Sequence, residues 1–170
     1  MTVFVVMLAL VLLWTEQGAS QTFSVASGAI AGGASPDLRT PLMGFQVEAR
    51  ATSEAYAGSA AYRWVRLQRT CKTSLPPQCV VDTPGGYLLL LGGSRVMLGG
   101  TIVSLRAGVE TGVARLRENS EIGRDTYAAF GARAEVEFPV ERLLLRLGGV
   151  IDWTEPAWLG GAIFAIGVRL

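Results

Sequence analysis

YAAFGARAEVEFPVERLLLRLGGVID, residues 127–152, is the stretch whose reading decides the fold. The even positions Ala128, Phe130, Ala132, Ala134, Val136 and Phe138 are apolar. The odd positions Tyr127, Ala129, Gly131, Arg133, Glu135 and Glu137 carry the small and charged residues. Pro139-Val140-Glu141 is expected to turn the chain, because proline has no N–H to give to a strand pair. After the turn, Leu143, Leu145, Leu147 and Ile151 share one side, and Arg142, Arg146, Gly148 and Asp152 share the other. Successive side chains of a strand point to opposite faces, so this is a β-hairpin with one greasy face and one face of charges and glycines. A helix would mix Phe130, Arg133 and Glu137 on one stripe, so period two fits and period 3.6 does not.

The same pattern recurs on both sides of the hairpin. Thr22 to Ala31 puts Phe23, Val25 and Ala29 on one face, and Gly44 to Thr52 alternates Phe45, Val47, Ala49, Ala51 with Gln46, Glu48, Arg50, Thr52. Tyr56 to Gln68 reads as a strand whose phase slips, since Tyr62, Trp64, Val65 and Leu67 do not share a face. A bulge near Trp64 would reconcile them. Tyr87 to Leu91 is apolar on both faces, and a strand is expected from 86 to about 92, the alternative being a run on to Met97 through a glycine kink. Gly100 to Leu116 alternates Val103, Leu105, Ala107, Val109 and Val113 with Ser104, Arg106, Gly108, Glu110 and Gly112. Leu159 to Leu170 closes the chain with Ala162, Phe164, Ile166, Val168 and Leu170 on one side. The expected architecture is all-β, eight strands in antiparallel up-and-down order. The longer connections, 32–42, 69–86, 117–125 and 153–159, alternate with short ones.

Composition narrows the function. Half the residues are hydrophobic and 17% are charged, below the ~25% of an ordinary soluble domain. A net charge of +1 leaves no electrostatic footprint for nucleic acid. The chain has no histidine, which excludes a Ser-His-Asp triad, histidine acid–base chemistry and most zinc sites. No residue is assigned a catalytic, cofactor or metal role, and no cofactor is expected. Val3 to Trp14 is an apolar run followed by Gly18-Ala19-Ser20, so residues 1–20 read as a secretory signal peptide and 22–170 as the barrel. In an exported chain Cys71 and Cys79 are expected to form a disulfide. Closing so short a ring contributes about 2–3 kcal/mol, mostly local to its loop.

Alternation alone does not say which face is wet. A soluble barrel of lipocalin type, binding an apolar ligand, would turn the apolar face inward; a transmembrane barrel would turn it outward. The glycines and alanines between the charges suit the narrow inside of an eight-stranded barrel. The charges nearly balance: Arg50, Arg106, Arg133, Arg142, Arg146 and Arg169 stand against Glu48, Glu110, Glu135, Glu137 and Asp152. Buried charges persist when paired, so these residues are expected to form a charge network in the lumen. Tyr56, Tyr87, Tyr127, Trp153 and Trp158 fall near strand ends, as interfacial aromatics do. The expected fold is therefore an eight-stranded antiparallel up-and-down transmembrane β-barrel.

With these features the chain resembles the small outer-membrane β-barrels of the OmpA membrane-domain and OmpX type. The resemblance covers about residues 22–170 and rests on pattern. It implies a bacterial outer-membrane location, outer-membrane lipid and the outer-membrane assembly machinery as partners, and exterior placement of the four longer loops. In that family the last strand carries an assembly signal, apolar at every second position and ending in an aromatic. Phe164, Ile166, Val168 and Leu170 match its spacing, with Leu170 in place of the aromatic. The functional expectation is a non-enzymatic barrel with a closed polar lumen that anchors four loops for envelope structure or adhesion. A narrow pore is the alternative.

Overall fold

A computed structural model describes residues 22–34, 40–67, 85–100, 102–116, 126–155 and 157–170. The secretory segment and Cys71 and Cys79 lie outside them. Eight strands follow in order: β1 (Thr22–Ala34), β2 (Thr40–Thr52), β3 (Tyr56–Leu67), β4 (Gly85–Gly99), β5 (Ser104–Leu116), β6 (Thr126–Val140), β7 (Leu143–Thr154) and β8 (Ala157–Arg169). Each pairs antiparallel with its sequence neighbour, and β1 pairs with β8, so the sheet closes into a barrel without an edge. Closure leaves no unpaired strand edge along the sheet.

The connections divide the barrel into two ends. Residues 53–55, 100–103 and 141–142 join strands at one end; 35–39, 68–84, 117–125 and 155–156 join them at the other. The expected loop at 153–159 is instead a two-residue connection, because pairing continues through Trp153↔Trp158 to Thr154↔Ala157.

Three other expectations change. β6 runs through Pro139, which pairs with Leu144. The last β6 residue paired with β5 is Glu137, opposite Ser104, so on that side there is no bond for Pro139 to miss. The turn is Glu141-Arg142, with Glu141 at φ 53°. β3 has no bulge: it pairs with β2 and β4 in unbroken register. The one register shift on β4 falls between Val96 and Leu98, opposite the start of β5, which begins at Ser104 rather than Gly100.

The two faces are inverted relative to a water-soluble core. Val109, Phe130, Leu147 and Phe164 are each more than half exposed on the outer face, while Glu48, Arg50, Arg63 and Asp152 are fully buried inside. An eight-stranded barrel is just wide enough for its own side chains to fill it.

Candidate functional site

The bore is the one place where charged groups converge among the described residues. Five arginines (Arg50, Arg63, Arg106, Arg133 and Arg146) and five carboxylates (Glu48, Glu110, Glu135, Glu137 and Asp152) are buried there. The barrel's topology puts β2 across from β6 and β3 across from β7. The pairs Arg50–Glu137, Arg133–Glu48 and Arg63–Asp152 therefore span the full diameter.

Towards the short-turn end, Glu48 is the hub. It accepts from Arg50 Nε at 3.0 Å, from Arg133 Nη2 at 3.0 Å and from Gln46 Nε2 at 3.2 Å, with Arg146 Nη1 at 3.4 Å. Glu137 gathers Arg50, Arg106 Nε at 2.7 Å and Arg146 Nε at 3.1 Å, and Glu135 also meets Arg50. Two serines add to the network: Arg133 donates to Ser59 Oγ and Arg146 to Ser24 Oγ, both at 2.8 Å.

Towards the other end, Arg63 takes the central place. It pairs with Asp152, donates to Glu110 at 2.9 Å and reaches Gln46 Oε1 at 3.2 Å. Arg133 Nη1, 4.0 Å from Glu110, links the two groups. Gly131 makes room for this: a Cβ there would fall on Asp152 Oδ1 and lie 3.0 Å from Glu110 Cγ.

Towards the long connections the lining turns mostly apolar, with Thr154 the buried polar residue there. Ile30, Leu42, Val65 and Leu159 point inward near the long-connection ends of their strands, and Leu88 and Leu90 join them on β4, opposite Arg63 and Ala61; all six are nearly inaccessible. A cavity of ≈ 10 Å³, the room of about one water, lies between this apolar collar and Arg63 and Asp152. Another of ≈ 10 Å³ lies by Gln46, Arg133 and Arg146.

Of the charges expected in the lumen, Glu48, Arg50, Arg106, Glu110, Arg133, Glu135, Glu137, Arg146 and Asp152 come together. Arg142 does not: it is exposed in the Glu141-Arg142 turn, because the strands pair one residue further than expected. Arg169 has the inward phase of Ala165 and Gly167 but stops half-buried at the rim, outside the ion pairs above. Sequence reasoning missed Arg63, the collar leucines and the serines. Arg63 was hidden by the bulge expected at Trp64. Its signal was a charge flanked by Tyr62 and Trp64, as expected of an inward residue between two outward aromatics.

On the outer face, Tyr56, Tyr87, Trp153 and Trp158 hold the expected places near the strand ends. Tyr127 does not; it has the inward phase of Ala129, at the rim. Two aromatics not singled out, Tyr62 and Trp64, join Phe45 and Tyr87 in a contiguous group. Phe45 stacks on Trp64 at 5.6 Å and Tyr62 on Tyr87 at 5.9 Å. Phe130 stacks on Trp153 at 6.0 Å. Near the short-turn end Arg95 lies over the Tyr56 ring at 5.7 Å. Phe164, Ile166, Val168 and Leu170 all face outward.

No family model matches the chain, and no curated protein sequence does. Solved structures do. Neisserial surface protein A matches with a TM-score of 0.70 at 14% identity, over 91% of this chain and 100% of that one. Ail, the attachment invasion locus protein of Yersinia pestis, matches with a TM-score of 0.58 at 15% identity, over 88% of this chain and 98% of that one. Ail in complex with the heparin analogue sucrose octasulfate matches at 0.56. At such low identity these likenesses speak for the fold, and the fold of this chain is that of the small eight-stranded outer-membrane β-barrels.

Proposed function

We propose that this chain is a non-enzymatic barrel of the bacterial outer membrane, with a closed lumen, holding its longer connections at the cell surface. The observation that carries this is the inverted polarity. A barrel in water would have to hydrate Val109, Phe130, Leu147, Phe164 and Ile166 on every side while burying ten ionisable groups. In hydrocarbon the same exterior is favourable, and closure satisfies the backbone. Aromatic groups near both strand ends fit the two membrane interfaces.

Lumen closure is supported by diameter-spanning ion pairs in one half and the leucine collar in the other. The signal segment 1–20, the Cys71–Cys79 disulfide and recognition of Phe164, Ile166, Val168 and Leu170 by the assembly machinery belong to this reading as proposals. The longer connections, 35–39, 68–84 and 117–125, would carry the contacts of envelope structure or adhesion. The attachment role in the name of Ail is in keeping with that. The test is envelope fractionation with protease shaving of intact cells. Carbonate-resistant membrane association, heat-modifiable gel mobility and cleavage confined to those connections are expected; a carbonate-soluble protein would overturn the reading.

A further inference from the structure

Charge is unevenly divided along the bore. Towards the short turns, Arg50, Arg106, Arg133 and Arg146 face Glu48, Glu135 and Glu137, which leaves a positive charge over. Arg106 stands near the start of β5, so this surplus lies by the mouth at that end, where water screens it. Beside the apolar collar, Arg63 stands between Glu110 and Asp152, which leaves a negative charge over. This second surplus is sealed in.

The register puts the two acids in one row. Glu110 is opposite Gly131 on β6, and Gly131 is opposite Asp152 on β7. Because a Cβ on Gly131 would meet both Asp152 Oδ1 and Glu110 Cγ, the two side chains lean into the same gap. Both also reach the same guanidinium, Asp152 through Arg63 Nη1 and Glu110 through Nη2 at 2.9 Å. Asp152 is 1% exposed, and its Oδ1 has no hydrogen-bond partner among the described residues. The surrounding strands add little charge. β6 brings Arg133, whose Nη1 is 4.0 Å from Glu110 but whose Nη2 is held by Glu48 at 3.0 Å. β2 brings Gln46, which accepts from Arg63, and Glu48 beyond it. β1, β4 and β8 turn Ile30, Leu90 and Leu159 inward, and the neighbouring Thr154 of β7 is uncharged.

We infer that Glu110 and Asp152 hold one proton between them at neutral pH, so that Arg63 faces a single negative charge. Two carboxylates sharing one gap oppose each other's ionisation, and a buried charge without a partner of its own neutralises. The proton supplies what Oδ1 lacks: the O–H of one acid donates to an oxygen of the other across Gly131. It belongs to the pair and not to either residue. A metal cation fits the place poorly. The cavity beside Asp152 is ≈ 10 Å³, room for about one water. No group of three or more acidic, cysteine or histidine side chains that could hold a metal ion occurs among the described residues. The inference rests on the closed bore proposed above, since a water-filled one would hydrate both acids.

The test uses the full chain folded in micelles of an ester-free detergent, where infrared spectra separate the carbonyl stretch of a protonated carboxyl from ionised ones. Heat-modifiable mobility reads folding. The wild type at neutral pH is expected to show that band. Asp152→Asn and Glu110→Gln should each abolish it, and Glu54→Gln, in an exposed turn, should leave it unchanged. Unfolding gives a reading that needs no variant. The chain has no histidine, so unfolding it in weakly buffered urea at neutral pH should release about one proton. The folded state then binds a proton that the unfolded state has lost, so stability falls as pH rises. Relative to Asp152→Asn, the folding constant should drop about tenfold per pH unit from about pH 4 towards neutrality. A wild type without the band, or one that releases no proton, overturns the inference. So does a band that survives either substitution, which would put the proton on one acid alone or elsewhere. A band that fades when sodium replaces a bulky organic cation would mean a metal cation site and would also overturn it. A silent bore without the band defeats this inference alone; a conducting wild type defeats the closed-lumen reading as well.

Discussion

Arg63 is the residue on which the ion pairs next to the apolar collar depend. Among the described residues it alone forms an ion pair with Asp152, and it holds Glu110 at 2.9 Å. Removing one member of a buried ion pair costs about 3–5 kcal/mol, because the other is left charged and uncompensated. Arg63→Met should therefore lower the unfolding free energy of the barrel by that order, read by urea titration of tryptophan fluorescence. Adding Glu110→Gln and Asp152→Asn should recover most of the loss. If the single variant unfolds at the wild-type midpoint, the cross-bore pair contributes nothing. Glu141 makes a smaller, opposite case. Its φ of 53° places a side chain in the left-handed region, a cost of roughly 1–2 kcal/mol that asparagine bears more easily. Glu141→Asn should raise the unfolding free energy by about 0.5–1 kcal/mol, and an unchanged value would mean that the turn tolerates glutamate without strain.

At the scale of the strand, β5 gives the sharpest test of what touches the barrel. Val109 lies mid-strand and is 68% exposed. Arginine at the bilayer midplane costs about 2–4 kcal/mol on the lipid face of such a barrel, and close to nothing on a wet surface. Val109→Arg should destabilise the protein by that amount in vesicles; a neutral effect would place water there. The strands also show how far the sequence could be read. β5, β6 and β7 were legible because one face is apolar and the other charged or small, so period two stands out. Arg142 was misplaced by a single residue of turn position. β3 and β4 were harder for a physical reason. Where Val65, Leu88 and Leu90 fill the bore, both faces of the strand are apolar and the alternation disappears. The unreadable run Tyr87 to Leu91 is outward aromatic and leucine interleaved with inward leucine. The apparent slip at Trp64 is an outward tryptophan beside an inward valine. The charge network was thus visible in kind, but its partner assignments were not, since diametric pairs join residues more than 80 apart in sequence.

At the scale of the whole molecule, the two halves of the bore close it by different means, and they should fail differently. The ion-pair half blocks passage sterically, with side chains from opposite strands meeting across it. The collar excludes water because its leucines, Ile30 and Val65 offer no hydrogen-bonding partner; a narrow apolar constriction dewets. Either alone is a barrier, so the wild-type protein should show no stable conductance in planar bilayers. Arg63→Ala should leave it silent, because Leu42, Val65, Leu88, Leu90 and Leu159 still seal the far half. Leu88→Ser with Leu90→Ser should also leave it silent while costing several kcal/mol of packing. Opening should require loss of the collar, of Arg63 and of the Glu48 hub together, because Arg50–Glu137 and Arg133–Glu48 still cross the bore when Arg63 and the leucines are gone. If the wild type conducts, the bore is a pore and the closed-lumen reading fails. If Arg63→Ala alone conducts, the collar is no barrier, and closure belongs to the charges only.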